Sequence, residues 1–259
     1  MTYLRWAAGG LLLLVVGAGP AMSAPNDDTI ATAKGALEIH AIHHASLLLT
    51  WNGKHVLVDP APVSGGPKEA DVTAPYKALP KPDLIVITHV HGDHFNVPIL
   101  EAVAGPNTSI AAPQSVYDAL PADLKAKTKV MKNGDSNVMD AIPVEAVPAY
   151  NTSQDRMKFH SQGLGNGYVL VFGGKRIYIA GDTEETPELA HLPNIDVAFL
   201  PMNAPYTETV EAAAKWVKDF KPRIVYPYHY HNSDGTLSDV AAFKTQVGDA
   251  SDVRLLNWY

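Results

Sequence analysis

Three histidines and one aspartate lie within six residues of one another in the stretch Thr88-His89-Val90-His91-Gly92-Asp93-His94. Neutral imidazole nitrogens and carboxylates are the ligands that a borderline cation such as zinc prefers. The stretch directly follows Leu84-Ile85-Val86-Ile87, whose length and β-branched content are typical of a buried strand. The pattern therefore predicts a metal site at the end of a strand. The alternative is a polar turn whose histidines have no function.

The spacing of these residues suggests how they reach one ion. Side chains two residues apart in an extended segment point to the same side, so the rings of His89 and His91 are expected to face the same ligand. Gly92 is expected to allow a tight turn of the backbone. That turn would bring Asp93 and His94 back over the end of the strand.

Composition limits both the fold and the partners. The 259 residues, 46% of them hydrophobic, suit one fairly large domain or two small ones with a substantial core. The chain has no cysteine and 11 histidines, so metal ligands must come from imidazoles and carboxylates. A formal net charge of −7 makes the protein a poor candidate for non-specific binding to nucleic acid.

The first 24 residues have the pattern of a secretory signal peptide. Arg5 is followed by the apolar run 11–16 and by the small residues of segment 20–24. The alternative is a membrane anchor, but the apolar run is short for a span of about 20 residues. We therefore expect residues 1–24 to be removed, residues 25–259 to form the mature domain without a stable membrane anchor, and the protein to be periplasmic or secreted.

The remaining pattern predicts strands interleaved with helices. Segment 25–34 is small and polar and is expected to be a flexible lead-in. Asn52-Gly53 predicts a hairpin turn, and segment 61–82 a loop with one helical turn. A strand is predicted over 84–88, and the apolar spacing over 207–220 predicts a helix. Further strands are predicted over 37–42, 46–51, 54–58, 109–112, 128–131, 142–147, 168–172, 176–180, 197–200, 223–226 and 253–256.

Several predicted strands end in a residue that can bind a metal, namely Asp59, His89, Asp182 and His229. Ligands collect outside the carboxyl ends of the strands in open α/β sheets. These side chains are therefore expected to converge on one crevice.

Three separated motifs together resemble the metallo-β-lactamase superfamily. They are the stretch 89–94, Gly181-Asp182-Thr183 and Pro227-Tyr228-His229. The resemblance extends over nearly the whole mature chain and implies an α/β fold, an αββα sandwich of two mixed β-sheets flanked by helices.

Three longer segments look more narrowly like one hydrolase branch of that superfamily, which includes ascorbate-phosphate lactonases and N-acyl phosphatidylethanolamine phospholipase D. The segments are Ile42-His43-His44-Ala45-Ser46, Val56-Leu57-Val58-Asp59-Pro60 and Ile177-Tyr178-Ile179-Ala180-Gly181-Asp182-Thr183.

The resemblance implies a cofactor of two divalent metal ions, zinc first, with manganese or iron as alternatives. It also implies catalytic roles for Asp93 and Asp182. In the implied ligand set, His89 and His91 hold the first ion, Asp93, His94 and His229 hold the second, and Asp182 bridges the two.

One expected ligand of the first ion is missing. Most members of the superfamily have a histidine near the position of Tyr150 and Asn151. We expect His160, in the connecting loop, to complete the set instead. The alternative is that His160 is a surface residue in a mobile loop, and that only one ion binds or water takes the place of the missing ligand.

Four further residues are expected to contact the substrate or to orient a ligand: His44, Asp59, Tyr150 and Tyr228. An alternative for Asp59 is a structural turn capped by Pro60.

The predicted function is metal-dependent hydrolysis of an ester, a lactone or a phosphodiester by a metal-bound hydroxide. The substrate is expected to be a small or lipid-like molecule, and no nucleic-acid partner is expected. Two alternatives remain open, a β-lactamase proper and a periplasmic metal-binding protein without turnover. The sequence does not indicate an oligomeric state.

Overall fold

The structure is a computed structural model that describes residues 24–63 and 71–259. Residues 1–23 of the predicted signal peptide and residues 64–70 of the predicted loop lie outside the described residues. Within them, fourteen strands form two sheets of seven strands each.

In the first sheet, neighbouring strands follow the order of the chain. The first four strands pair antiparallel, and the fourth to the seventh pair parallel. The strands are β1 (Asp27–Thr32), β2 (Gly35–His43), β3 (Ser46–Trp51), β4 (Lys54–Val58), β5 (Leu84–Val86), β6 (Ser109–Ala112) and β7 (Thr128–Val130).

The second sheet repeats this arrangement. Its first four strands are antiparallel and its last four run parallel. The strands are β8 (Ser136–Met139), β9 (Ile142–Ala149), β10 (Gly165–Phe172), β11 (Lys175–Ile179), β12 (Val197–Pro201), β13 (Ile224–Tyr228) and β14 (Asp252–Val253).

In the described part of the chain, five α-helices connect or flank the strands, and three short 3-10 turns accompany them. Three of the helices begin at a side chain that accepts a backbone N–H of the first turn, from Asn96, Thr209 and Asp239. The helices are α1 (Val97–Val103), α2 (Gln114–Ala119), α3 (Ala122–Lys125), α4 (Val210–Phe220) and α5 (Val240–Val247), and the 3-10 turns are Ala74–Tyr76, Leu189–His191 and Gly248–Ala250.

The alternation of side chains along the strands of the first sheet separates two apolar cores. Leu47 and Leu49 of β3 join the core that the sheets share, whereas Leu48 joins a second core with Ile99 and Leu100 of α1. The predicted sandwich of two mixed sheets with helices outside is thereby confirmed. No helix within the described residues is long and apolar enough to span a membrane.

Some local predictions were wrong. Segment 25–34, expected to be flexible, contains β1, whose Ile30 is buried in the core and whose Asp28 accepts a hydrogen bond from Tyr226. The polar composition does not predict this strand, because the strand is stabilised by its pairing with β2 and by burial of Ile30 against residues that are distant in the chain. Strand β8 was not predicted at all. The strand expected over 84–88 ends at Val86, and the helix expected from residue 207 begins at Val210.

Candidate metal centre

The stretch 88–94 forms a turn after β5 and is not part of a strand. The rings of His89 and His91 nevertheless meet, with 3.1 Å between Nε2 and Nδ1. The turn is closed by the carbonyl of His91, which accepts the amide hydrogen of His94 at 3.0 Å. The expected role of Gly92 is not required, because its φ is not positive and an added Cβ would meet nothing within 4 Å.

One set of possible ligands consists of His89, His91 and His160, whose ligand nitrogens lie within 4.8 Å of one another. His160 is 8% exposed and lies 3.2 Å, through Nε2, from Oδ2 of Asp182. The structure therefore places His160 inside the cluster, as the sequence predicted, and not on the surface. Its role as a ligand stays a prediction.

The loop that carries His160 is fastened to the segment after Asp182. Glu184 accepts the amide hydrogen of Ser153 at 2.6 Å and a guanidinium hydrogen of Arg156 at 2.7 Å. Asn151 donates its amide hydrogen to the carbonyl of His160 at 2.9 Å. Sequence reasoning did not identify Glu184, although its position two residues after Asp182 was a usable signal.

The second set of possible ligands is His44, Asp93, His94 and His229, which also lie within 4.8 Å of one another. Nε2 of His44 lies 3.2 Å from Oδ2 of Asp93, and Nε2 of His229 lies 3.5 Å from the same oxygen. His94 and His229 stack with ring centroids 4.9 Å apart.

Asp182 lies between the two sets. Its Oδ1 is 3.2 Å from Nε2 of His94 and 3.3 Å from Nε2 of His229. Its Oδ2 faces the first set, at 3.2 Å from Nε2 of His160 and 4.0 Å from Nε2 of His89. One carboxylate therefore presents a different oxygen to each set.

Asp59 orients two of these rings and is fully buried. Its Oδ2 accepts the Nδ1 hydrogen of His94 at 2.8 Å and the hydroxyl hydrogen of Thr88 at 2.7 Å. The Thr88 oxygen in turn lies 3.0 Å from Nδ1 of His89. Because Nδ1 is engaged in both rings, Nε2 of each is directed towards Asp182.

The electrostatics of the cluster are dominated by burial and by the aspartates. Burial lowers the pKa of His89 well below its ordinary value, helped by the nearby His94. Burial also disfavours a charged His94, but the carboxylates of Asp182 and Asp59 outweigh it and raise the pKa of His94 well above its ordinary value. Burial alone would raise the pKa of Asp182, but His229 and His94 hold it well below the usual range.

The backbone is unusual where it supplies these side chains. His44, Asp59 and His229 have φ values of 52°, 42° and 46°, a left-handed region that non-glycine residues seldom adopt. Each follows the end of a strand, at a turn towards the cluster. Such conformations persist where surrounding structure enforces them, and they concentrate at functional sites.

Tyr228 and Tyr150 support the turn around Asp182. The Tyr228 oxygen accepts the amide hydrogen of Gly181 at 2.8 Å, which fixes the residue before Asp182. The Tyr150 hydroxyl donates to Glu188 at 3.0 Å, and its carbonyl accepts the hydroxyl hydrogen of Thr183. Tyr150 thus supports the turn through its main chain, and its contact with a substrate stays a prediction.

The residues fit a bound cation. Nε2 of His94, Nε2 of His229 and Oδ1 of Asp182 are buried and have no hydrogen-bond partner within the described part of the chain. Such atoms cost about 1–3 kcal/mol each when they remain unpaired. Imidazole and carboxylate donors directed at a common space suit zinc, manganese or iron.

The cluster is accessible beside the turn 88–94. His91 is exposed, and 42% of the Asp93 side chain is accessible. A small cavity of about 70 Å³ adjoins His89 and His160 and is walled partly by Phe159 and Leu164. A substrate can therefore approach the cluster from this side.

Comparisons with known proteins indicate the family to which the chain belongs. A family model described as "Beta-lactamase superfamily domain" matches residues 38–229, from β2 to His229. A UPF0173 metal-dependent hydrolase from Thermococcus kodakarensis is 32% identical over 224 residues, which cover 85% of this chain and 96% of that protein.

Two solved structures extend the comparison. A Parabacteroides distasonis protein assigned as a metal-dependent hydrolase is 42% identical, with a TM-score of 0.77 over 89% of this chain and 99% of that one. Igni18, a metallo hydrolase from Ignicoccus hospitalis, is 24% identical and has the same fold, with a TM-score of 0.68 over 85% and 95% of the two chains. The chain belongs to the metallo-β-lactamase superfamily, in the UPF0173 family of metal-dependent hydrolases.

Proposed function

We propose that the cluster binds two divalent cations, zinc in the first instance, and hydrolyses an ester, a lactone or a phosphodiester. The observation that carries this proposal is the position of Asp182, whose two oxygens face two separate sets of imidazoles. A carboxylate in that position suits a pair of cations about 3.5–4 Å apart. The first ion is assigned to His89, His91 and His160, and the second to Asp93, His94 and His229.

When bound, the cations lower the pKa of water and stabilise negative charge that develops on the substrate. The protein contributes position and proton transfer. Oδ2 of Asp93 faces His44 and His229, which leaves Oδ1 to accept the proton released when water attacks. The accessible side near His91 and Asp93 admits the substrate.

The resemblance to ascorbate-phosphate lactonases and N-acyl phosphatidylethanolamine phospholipase D guides the choice of substrates. A small or lipid-like molecule is supported by the apolar side chains of Phe159 and Leu164 beside His160. These walls suit an apolar substituent next to the bond that is cleaved.

Metal analysis and a substrate panel test the proposal. We expect protein purified without chelator to hold about two equivalents of metal and to cleave at least one chromogenic ester, lactone or phosphodiester. His89→Ala and His91→Ala should abolish hydrolysis and lose metal while remaining folded. His160→Ala should reduce the content from about two equivalents to about one.

The same panel includes a chromogenic cephalosporin. Turnover of that compound alone would assign the protein as a β-lactamase proper. Full activity of His91→Ala would contradict the proposed site, and unchanged metal content in His160→Ala would remove His160 from the ligand set.

We also propose that the protein is exported and that residues 1–24 are removed. The support is the order of Arg5, the apolar run 11–16 and the small residues of 20–24. N-terminal sequencing of protein from the periplasm or medium should begin near residue 25. Met1 at the start of the soluble, active protein would contradict export.

A further inference from the structure

His44 has two possible roles in the second set of ligands. Its ring is 3% exposed, and its Nε2 lies among the ligand atoms of Asp93, His94 and His229. If Nε2 carries a lone pair, His44 can bind the second ion. If Nε2 carries a hydrogen, His44 cannot bind the ion through that atom and acts as a hydrogen-bond donor.

The hydrogen bonds of Tyr259 distinguish these roles. The amide of Tyr230 donates to the Tyr259 oxygen at 3.1 Å, and a main-chain N–H can only donate. The Tyr259 oxygen lies 2.8 Å from Nδ1 of His44. Within the described residues, the Tyr259 hydroxyl contacts no acceptor other than Nδ1, so its own hydrogen is directed at Nδ1. Nδ1 then acts as the acceptor, which leaves the hydrogen of the neutral ring on Nε2.

The other side of the ring agrees with this assignment. Nε2 of His44 lies 3.2 Å from Oδ2 of Asp93, a carboxylate oxygen that accepts hydrogen bonds. An Nε2 with a lone pair would require a cation between it and that oxygen, as we propose at Asp182. With the Nδ1 of His44 accepting from Tyr259, the chain from Tyr259 through His44 to Asp93 needs no cation, and each group donates to the next.

We propose that Tyr259 holds His44 with its hydrogen on Nε2, and that His44 is a positioning residue for Asp93 and not a metal ligand. Neither part requires a change of charge on any group. The consequence for turnover rests on the proposed function of Asp93, whereas the position of the hydrogen does not.

The main chain keeps the ring of His44 in place. Its amide donates to the carbonyl of Trp258 at 3.2 Å, and its carbonyl accepts the amide hydrogen of His229 at 3.1 Å. The ring of His44 packs against that of His229 at an interplanar angle of 44°, with centroids 3.8 Å apart. His44 thus connects the segment that carries Tyr259 to the strand end that carries His229, so loss of the Tyr259 hydroxyl alone leaves the ring position determined.

The position of the hydrogen can be read from the ¹⁵N chemical shifts of the His44 ring, in metal-free and in zinc-loaded protein. In the wild type we expect Nε2 to carry the hydrogen in both states. Tyr259→Phe removes the donor to Nδ1, so the ring should shift towards the form with the hydrogen on Nδ1. Tyr226→Phe is the matched control, because it removes a hydroxyl that donates to Asp28, away from the cluster.

A zinc-bound Nε2 of His44 in the wild type would overturn the proposal. So would unchanged His44 shifts in Tyr259→Phe. Because the metal-free spectrum needs neither metal nor substrate, these results stay distinct from a failure of the proposed hydrolase activity.

A kinetic comparison tests the positioning role. With a substrate found in the panel, His44→Gln, whose amide can donate to Asp93 from a similar distance, should keep at least tenfold more kcat than His44→Leu. KM should change less than threefold in both variants, and zinc content should stay at the wild-type value. Loss of one zinc equivalent in both variants would instead identify His44 as a ligand.

Discussion

The two halves of the molecule have the same strand arrangement but supply the side chains of the cluster in different ways. Strands β1–β7 and β8–β14 each begin with an antiparallel set of four and continue into a parallel set. In the first half, His89, His91, Asp93 and His94 come from one turn after β5. In the second half, His160, Asp182 and His229 come from three separated segments.

The clearest contrast lies after the fourth strand of each half, where β4 leads to Asp59 and β11 leads to Asp182. Both carboxylates are buried. Asp59 accepts hydrogen bonds from Thr88 and from Nδ1 of His94. Oδ1 of Asp182 has no hydrogen-bond partner within the described residues and faces two Nε2 atoms.

This contrast shows that topology places a carboxylate at the site but does not determine its role. Asp59 meets donors of the protein, so it orients a ring. Asp182 meets ring nitrogens that can act as acceptors, which suits the cation that we propose between them. His94 contacts both aspartates, Asp59 through Nδ1 and Asp182 through Nε2, and connects the two roles.

Among the substitutions that test this contrast, Asp182→Asn should cause the largest loss of metal binding and activity. The amide removes the negative charge that faces both sets, so we expect loss of at least one metal equivalent and of more than about a hundredfold in kcat/KM, beyond the range for groups that only orient a ligand. Metal analysis and kinetics of the folded variant measure both. Two retained equivalents with normal turnover would show that Asp182 is no more a ligand than Asp59 is.

Asp59→Asn should have a smaller effect. The amide can still accept from Thr88, but it offers a donor to Nδ1 of His94 and so favours the hydrogen on Nε2. Metal affinity or activity should fall about 10–100-fold, as is typical for a group that orients a ligand. Asp83→Asn is the control, because it removes a carboxylate that accepts from Lys54 and the His55 amide, away from the cluster. Equal losses in both variants would exclude an orienting role.

Gly181→Ala tests the turn that presents Asp182. Gly181 has φ of 66°, and an added Cβ would lie 2.8 Å from Cβ of Thr88. We expect the free energy of unfolding to fall by more than the roughly 1–2 kcal/mol that a left-handed backbone costs an ordinary residue. Metal binding should also be weaker. Gly53→Ala, with φ of 73° and no atom within 4 Å of its Cβ, should show the backbone cost alone. Chemical denaturation measures both variants, and equal losses would contradict the close approach to Thr88.

The stability of the metal-free protein should also depend on pH, and Asp182 and Asp59 should contribute differently to this dependence. The pKa of His94 is raised above the unfolded value of about 6.5. Its contribution to stability is therefore complete below about pH 6.5 and is lost as the pH rises through the folded pKa. Denaturation in chelator should show stability falling over that range. Asp182→Asn should weaken the dependence more than Asp59→Asn, because Asp182 is the larger cause of the shift, and the reverse order would contradict this account.

The sequence predicted well those elements whose structure is determined by residues close together in the chain. The bounds of β3, β4 and β6 follow from apolar runs that end at a turn or at a proline, and they agree with the structure. It predicted β1 wrongly, because a polar segment becomes a strand only when β2 supplies its hydrogen bonds and distant residues bury Ile30. The sequence also did not predict that the two halves share one strand arrangement, because the strand pairing recurs without a repeat in the sequence.

By itself, the sequence determined the chemical types at the site: the imidazoles and carboxylate of 89–94, Asp182 after its strand, and His229. It also indicated His160, because the resemblance to the superfamily implies a further histidine in this part of the chain. The tertiary structure alone decided which oxygen of Asp182 faces which ring, and that Tyr259 reaches His44 across 215 positions of the chain. The physical reason is the distance along the chain over which each interaction acts. Periodicity and turn chemistry involve a few neighbouring residues, whereas donors meet acceptors across the site only after the two sheets have packed together.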